Sequence, residues 1–339
     1  MKKIVFVASV ALSIFLVPGC KNDITILAPY NSQPVVYGLL DQNETTHYIR
    51  VNRTYEGNGN AYTMAQQYDS INYPLGTITV QLQDIGNGQI VTLGDTTGIP
   101  LDTGTFSFPN QIIYKTNQTL NPNDQYKLII TNNKTGKVST GTTSLLPDVN
   151  PTLGFLGGGQ SLLTSTPISF SSPAAFATYV TWSTNSQALI YQLTFRFFYT
   201  EIDSVKKDTL STYADWVFAA QTSPSLLSGY QMQDSYTGPA FLQFLVGSIS
   251  PAGNRTIKRV PGDVEVMFTS GSVDFNTYIQ LSQPSLNVNQ QKPFFTDLTN
   301  AIGIFTSRHV QTQIKPLAGG TIVYLDTAVA VHFINFRSH

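Results

Sequence analysis

Residue types that carry acid–base or metal chemistry are sparse in this chain. Among its 339 residues it has one cysteine and four histidines. The histidines are His47, His309, His332 and His339. None lies at metal-ligand spacing from another histidine or from the cysteine. We therefore expect scattered histidines, no metal site and no cofactor.

The acidic residues also give no catalytic pattern. Asp41 to Glu44 and Asp263 to Glu265 form short acidic groups, which we interpret as solvated charges in turns. A glycosidase needs two carboxylates facing each other across a cleft, and sequence alone does not pair them. The stretch Gly57 to Asn60 lacks the lysine and the strand–helix context of a phosphate-binding loop. We predict that the protein is not an enzyme.

Cys20 is the one residue whose position predicts a covalent modification. Lys2 and Lys3 precede an uncharged apolar run from Ile4 to Val17, and the cysteine follows Gly19. The arrangement resembles a bacterial lipoprotein signal, in which the cysteine is diacylated and becomes the mature N-terminus. The run of about 14 residues is short of the roughly 20 that span a bilayer.

We predict a signal peptide at 1–19, lipidation of Cys20 and a lipidated tether at 20–27. Such a protein would be held at the outer membrane by its lipid, either on the periplasmic side or exposed at the surface. A plain secretory signal and an uncleaved anchor are the alternatives.

Composition limits the partners. Charged residues make up 12% of the chain and the formal net charge is -1, so no basic surface for nucleic acid is expected. With Cys20 acylated, no disulfide can form. The low charge and the many small polar residues are typical of exported β-proteins.

Alternation with a period of two dominates the first half. Ile78, Val80 and Leu82 would face inward on one strand. Hairpins are predicted at 35–55, 77–93 and 126–142. The segment Leu120 to Tyr126 resembles the tyrosine corner of Ig-like sandwiches. We predict a mainly β fold, with an Ig-like or transthyretin-like sandwich at 28–148.

A linker is predicted at 149–160, where Pro151 and three glycines follow Pro147. A second, fibronectin III-like sandwich with short helical insertions is expected at 161–339. Its strand at 188–200 places alternate aromatic residues on one face. Helices are predicted at 239–249, capped by Thr237, and at 273–282, capped by Ser272. Strands are predicted at 264–269 and 320–336.

The long segment 55–76 is the best candidate for a binding loop. It contains Tyr55, Tyr62, Tyr68 and Tyr73 beside several glycine and asparagine residues. Aromatic rings on a pliable backbone bind glycans and partner proteins. The alternative is that these rings fold back and cap the core.

Several segments of the C-terminal third resemble one family. They are Tyr278 to Leu281, Pro293 to Phe295 and Thr299 to Arg308. Together with Pro34 to Leu40, they are similar to a Bacteroidetes lipoprotein family catalogued as a domain of unknown function, numbered in the four-thousands. Its genes often lie near those of TonB-dependent outer-membrane receptors. The resemblance implies a cell-envelope role and supplies no catalytic residues.

Five copies of a short motif match the O-glycosylation acceptor of Bacteroidetes envelope proteins, which is aspartate, then serine or threonine, then an aliphatic residue or threonine. The acceptor hydroxyls would be Ser70, Thr96, Ser204, Thr209 and Thr327. Chance occurrence in a chain rich in serine and threonine is the alternative.

These observations together predict a non-enzymatic binding or accessory module of the cell envelope, working beside a nutrient receptor or on a glycan. Two alternatives stay open. One is a structural or adhesive surface protein, and the other is an unrecognised hydrolase.

Overall fold

The computed structural model describes residues 30–57, 59–97, 99, 111–154, 159–251, 256–283 and 295–337. The predicted signal peptide, Cys20 and the tether at 20–27 lie outside the described residues. Pro293, Phe294 and His339 also lie outside the described residues.

The described part of the chain is mainly β, as predicted. Its strands are β1 Pro34–Leu40, β2 His47–Arg53, β3 Ile78–Asp84, β4 Ile90–Thr92, β5 Gly94–Thr96, β6 Ile113–Thr116, β7 Gln125–Asn132, β8 Val138–Ser144, β9 Thr152–Leu153, β10 Gln160–Ser161, β11 Thr178–Ser183, β12 Ala188–Asp203, β13 Asp208–Val217, β14 Gln221–Thr222, β15 Gln231–Tyr236, β16 Ile257–Ser272 and β17 Ile302–Lys315.

Three sheets organise these strands. A large sheet of nine strands has the order β13-β12-β16-β17-β1-β2-β6-β5, and β14 pairs with β12 beside it. A four-stranded sheet of order β4-β3-β7-β8 shares one hydrophobic core with the β17-β1-β2 end of the large sheet. A second four-stranded sheet, β10-β9-β11-β15, shares another core with the β12-β16 end. The large sheet is thus common to both cores.

The strand β17 joins the parts of the large sheet that belong to the two cores, and the predicted boundary at 149–160 stays a prediction. β17 pairs in parallel with β1 through Ile302 to Ser307, and antiparallel with β16 through Arg308 to Lys315. Phe305 of β17 is fully buried in the first core, beside residues of β1 and β2. Proline and glycine content marks an irregular connection, but it carries no information on a parallel pairing between distant segments.

Gly303 lets β17 approach β1 closely. It has φ +106, and a Cβ atom there would lie 2.0 Å from the carbonyl oxygen of Val36. Both the backbone conformation and the contact therefore favour glycine.

The predicted hairpins of the first half are confirmed by β1–β2, β3–β4 and β7–β8. The tyrosine-corner geometry is also present, because the Tyr126 hydroxyl accepts a hydrogen bond of 2.6 Å from the Asn121 N–H. In the second half, the inward face of β12 carries buried Tyr191, Leu193 and Phe195 as predicted. Alternation thus identified the strands because each sheet has one buried face.

The helices are α1 Ala61–Ala65, α2 Tyr68–Ile71, α3 Gly238–Ser248, α4 Val273–Ser282 and α5 Gly319–Thr327, followed by a 3₁₀ helix at Val329–Ile334. The two predicted caps are confirmed, since the Thr237 side chain accepts from Ala240 N–H and the Ser272 side chain from Phe275 N–H. No helix among the residues described here is long and apolar enough to cross a membrane.

The strand predicted at 320–336 is wrong, because this stretch forms α5 and the 3₁₀ helix. The β-branched residues at its start favour a strand locally. Burial follows helical spacing instead, with Thr321 and Leu325 buried on one face of α5. Packing against the second core outweighs the local preference.

Candidate binding groove

A groove of about 280 Å³ lies along β1 and β2, where the segment after β2 turns towards α2. Val35, Tyr37, Tyr55 and Ile71 form its apolar and aromatic walls. Arg50, Asn52, Arg53 and Thr54 supply its polar groups. None of the described residues that line it is acidic, so its ionisable side chains favour an anionic or acceptor-rich ligand.

Arg50 is held in the groove by neighbouring aromatic rings. It lies directly opposite Tyr37 in the β1–β2 pairing, and its guanidinium carbon is 4.3 Å from the centre of the Tyr37 ring. Tyr278 of α4 meets Tyr37 edge-on, with ring centres 6.4 Å apart. This packing orients the cation without neutralising its charge.

The Nε atom of Arg50 is buried and has no hydrogen-bond partner among the described residues. No carboxylate of the described chain forms an ion pair with Arg50 either, although most buried polar atoms in proteins are satisfied. The guanidinium therefore keeps its full charge within the structure, and an acceptor in the groove could pair with its terminal nitrogen atoms.

Arg53 has a different role, because it ties the segment after β2 to the sheet. Its Nε donates to the carbonyl oxygen of Ser70 at 3.3 Å, and its guanidinium also donates to the carbonyl oxygen of Asp69. Asn52 donates to the Asn72 side chain at 3.1 Å. The wall beside the groove is therefore fixed by hydrogen bonds to β2.

The four tyrosines of the predicted binding loop have different environments. Tyr62 is 70% exposed at the surface of α1. Tyr55 lines the groove, and its hydroxyl donates to the Ala61 carbonyl oxygen at 2.9 Å. Tyr68 packs against the first core. Tyr73 is only 4% exposed and belongs to that core.

Tyr73 is therefore a core residue, and burial raises the pKa of its hydroxyl. The alternative, that these rings cap the core, holds for Tyr73 and in part for Tyr68. Tyr55 and Tyr62 still face the groove side or solvent. Whether the loop binds a partner stays a prediction.

The candidate glycosylation sites also differ in accessibility. Ser204, Thr209 and Thr327 are exposed, whereas Ser70 and Thr96 are half-buried. Thr327 ends α5, where its hydroxyl donates to the Val323 carbonyl oxygen. Ser204 lies in the turn between β12 and β13. Modification of these residues stays a prediction.

Sequence reasoning missed a buried ionic cluster. The ring of His309 is fully buried, with Nδ1 3.2 Å from Asp41 Oδ1 and Nε2 2.7 Å from Asp148 Oδ1. Asp41 was expected to be a solvated turn charge and is only 1% exposed. The residues are far apart in sequence, at a separation of 268 positions for Asp41 and His309, so no spacing rule could pair them.

Both nitrogens of His309 face carboxylates, which suits the doubly protonated imidazolium ring. Neither nitrogen is left to take a proton from a nucleophile. His47 is buried and donates to the Gln118 carbonyl oxygen, and burial lowers its pKa. In the part of the chain that the structure describes, no group of three or more histidine, cysteine or acidic residues is arranged to hold a metal ion.

No protein-family model matches the chain, and a search of the curated proteins finds no significant match.

Proposed function

We propose that the chain is a non-enzymatic binding or accessory module of the bacterial cell envelope. Lipid on Cys20 would hold it at the outer membrane, and it would act beside a nutrient receptor. The observation that carries the proposal is the groove on β1 and β2, which has an oriented Arg50 without a partner among the described residues. A site built in this way is suited to binding, because an arginine oriented by an aromatic ring can recognise an acceptor group of a ligand.

The finer fold assignment is also a proposal. The first sandwich would be Ig-like or transthyretin-like, and the second fibronectin III-like. The hydrogen bond from Asn121 N–H to the Tyr126 hydroxyl supports the first assignment.

The anchor is tested by Cys20→Ser. This variant should no longer incorporate labelled fatty acid, because its hydroxyl replaces the acylated thiol. Its signal peptide should be removed slowly or not at all. Undiminished labelling would exclude Cys20 as the lipid site.

The binding role is tested by affinity purification from solubilised outer membranes. The wild-type protein should enrich one outer-membrane receptor reproducibly, and Arg50→Gln should lose that receptor. Arg196→Gln, on the opposite half of the large sheet, is the control and should retain it. If Arg50→Gln and Arg196→Gln recover the same amount of receptor, the groove is not required for receptor binding.

One observation favours the adhesive alternative. β13 ends the large sheet in the described structure, and it exposes Leu210, Tyr213 and Val217. A free strand edge with apolar side chains can pair with another chain. Self-association that is lost in Thr212→Pro, with groove variants unaffected, would support adhesion over the receptor-associated role.

A further inference from the structure

The large sheet contains the same arginine–tyrosine arrangement twice. Arg50 lies over Tyr37 with 4.3 Å from its guanidinium carbon to the ring centre. Arg196 of β12 lies over Tyr213 of β13 at 4.1 Å. In both cases an arginine on the outward face of one strand stacks on a tyrosine of the neighbouring strand.

The two arginines differ in what their nitrogen atoms contact. Arg196 binds Asp215 in a bidentate manner, with Nε 2.8 Å from one carboxylate oxygen and a terminal nitrogen 2.9 Å from the other. Glu265 lies 3.8 Å from the remaining terminal nitrogen. A planar guanidinium and a carboxylate match in this geometry, so the pair is electrically complete.

Arg50 has the stacked ring but lacks the carboxylate. Its cross-strand neighbours are Tyr37 on β1 and Ile113 on β6, neither of which carries an acid. Its Nε is buried and unpartnered among the described residues. Arg53, the other cation of the groove, donates to backbone carbonyl oxygens. It therefore cannot balance the charge of Arg50.

We propose that the groove binds a small carboxylate with a flat apolar body, and that this carboxylate pairs with the terminal nitrogen atoms of Arg50 as Asp215 pairs with Arg196. This inference rests on the proposed binding role of the groove and names the ligand class. The carboxylate would accept hydrogen bonds from the guanidinium of Arg50. Tyr55, Val35 and Ile71 would cover the apolar body.

The size and lining of the groove limit the ligand further. A volume of about 280 Å³ is slightly smaller than that of most ligand pockets, which is roughly 300–1,000 Å³. It suits a ligand with one ring or a short chain. Asn52 and Thr54 add neutral polar groups at the edge, which would accommodate one further hydroxyl or amide of the ligand.

The test uses the full-length protein and a matched pair of probes, phenylacetate and phenylacetamide. The two share a ring and differ in charge. Titration followed by NMR or calorimetry should show phenylacetate binding at least about tenfold more tightly, as expected when a charge-assisted hydrogen bond is lost. Phenylacetate should also protect the groove from arginine-directed modification at Arg50.

Three variants locate the site. Arg50→Gln should reduce phenylacetate binding to the level of phenylacetamide, and Arg50→Lys should retain only part of it because a lysine lacks the bidentate fork. Arg196→Gln is the matched control and should bind phenylacetate normally. Melting curves for all three establish that each variant is folded.

The ligand class is overturned if both probes bind equally, if neither binds, or if Arg50→Gln binds phenylacetate as the wild type does. A neutral sugar that binds through Arg50, with no response to phenylacetate, would also overturn it. These outcomes are separate from the receptor experiment. If the protein binds the carboxylate but recovers no receptor, the ligand site is supported and the receptor-associated role is refuted.

Discussion

Replacing His309 by leucine should destabilise the protein strongly. The side chain of His309 is fully buried, and so is that of Asp41, at 0% and 1% exposure. The Asp41 carboxylate also accepts from the backbone N–H groups of Asn43, at 3.0 Å, and Val310, at 2.8 Å. With leucine at 309, this carboxylate would stay buried without its cationic partner.

The magnitude follows from the unequal burial of the two carboxylates. Breaking a buried ion pair by removing one partner costs about 3–5 kcal/mol, so we expect His309→Leu to lower the free energy of unfolding by that amount. Asp148 is 76% exposed on the other side of the ring. Asp148→Asn should therefore cost only about 0–1 kcal/mol, as for an exposed ion pair.

Urea denaturation of the full-length protein, followed by circular dichroism, measures these differences. His332→Leu is the control, because His332 is exposed and its loss should change little. The reasoning is refuted if His309→Leu costs less than about 1 kcal/mol, or if Asp148→Asn costs as much as His309→Leu.

The same pair predicts a pH dependence. Burial acts to lower the pKa of His309, but hydrogen bonds to Asp41 and Asp148 outweigh it and raise the pKa above its ordinary value of 6.5. The stabilisation is therefore complete below pH 6.5 and is lost as the pH rises through the higher pKa of the folded state.

The pKa of Asp41 shows the opposite balance. Burial acts to raise it, and hydrogen bonds from His309, Asn43 and Val310 lower it below 3.8. This contribution is present above pH 3.8 and is lost as the pH falls through the lowered pKa. The stability difference between wild type and His309→Leu should thus be largest between these limits. A difference that does not change with pH would contradict the charged form of His309.

Three further results are expected. Phe305→Ala should lower the free energy of unfolding by about 3–5 kcal/mol, because the ring is fully buried in the first core. Gly303→Ala should also destabilise the protein. Near-zero changes in the denaturant midpoint would show that the first core does not depend on β17. A fragment of residues 30–148 should give a poorly dispersed NMR spectrum, since it lacks β17; a well-dispersed spectrum would refute the shared core. Tyr73→Ser should lower the melting temperature by many degrees, because this ring is only 4% exposed. Tyr62→Ser should hardly change it, because that ring is 70% exposed. Equal shifts in melting temperature would contradict these environments.

The sequence predicted what local patterns determine. Period-two alternation located β3, because Ile78, Val80 and Leu82 face the core while the intervening residues do not. Helix starts were found at Thr237 and Ser272, since capping depends on a hydroxyl and the next few N–H groups. These features need only a few consecutive residues.

Long-range pairing could not be predicted in this way. Nothing near Val36 indicates that its strand partner is Gly303, and nothing near Asp41 indicates His309. The same limit affected the candidate site. The sequence identifies Tyr55 as an aromatic residue of the loop. The groove, however, depends on the contact between Arg50 and Tyr37 on neighbouring strands. In the sequence, the outward face of these strands resembles any other polar sheet surface.

The shared strand β17 has a consequence for synthesis of the chain. β1 is among the first described segments to emerge from the ribosome, and its parallel partner at Ile302–Lys315 is among the last. Until then the edge of β1 that β17 will cover is unpaired, and the first core lacks Phe305. Folding of the first sandwich should therefore finish only after Ile302–Lys315 is available to pair with β1, and agents that protect exposed strand edges should raise the yield of refolding.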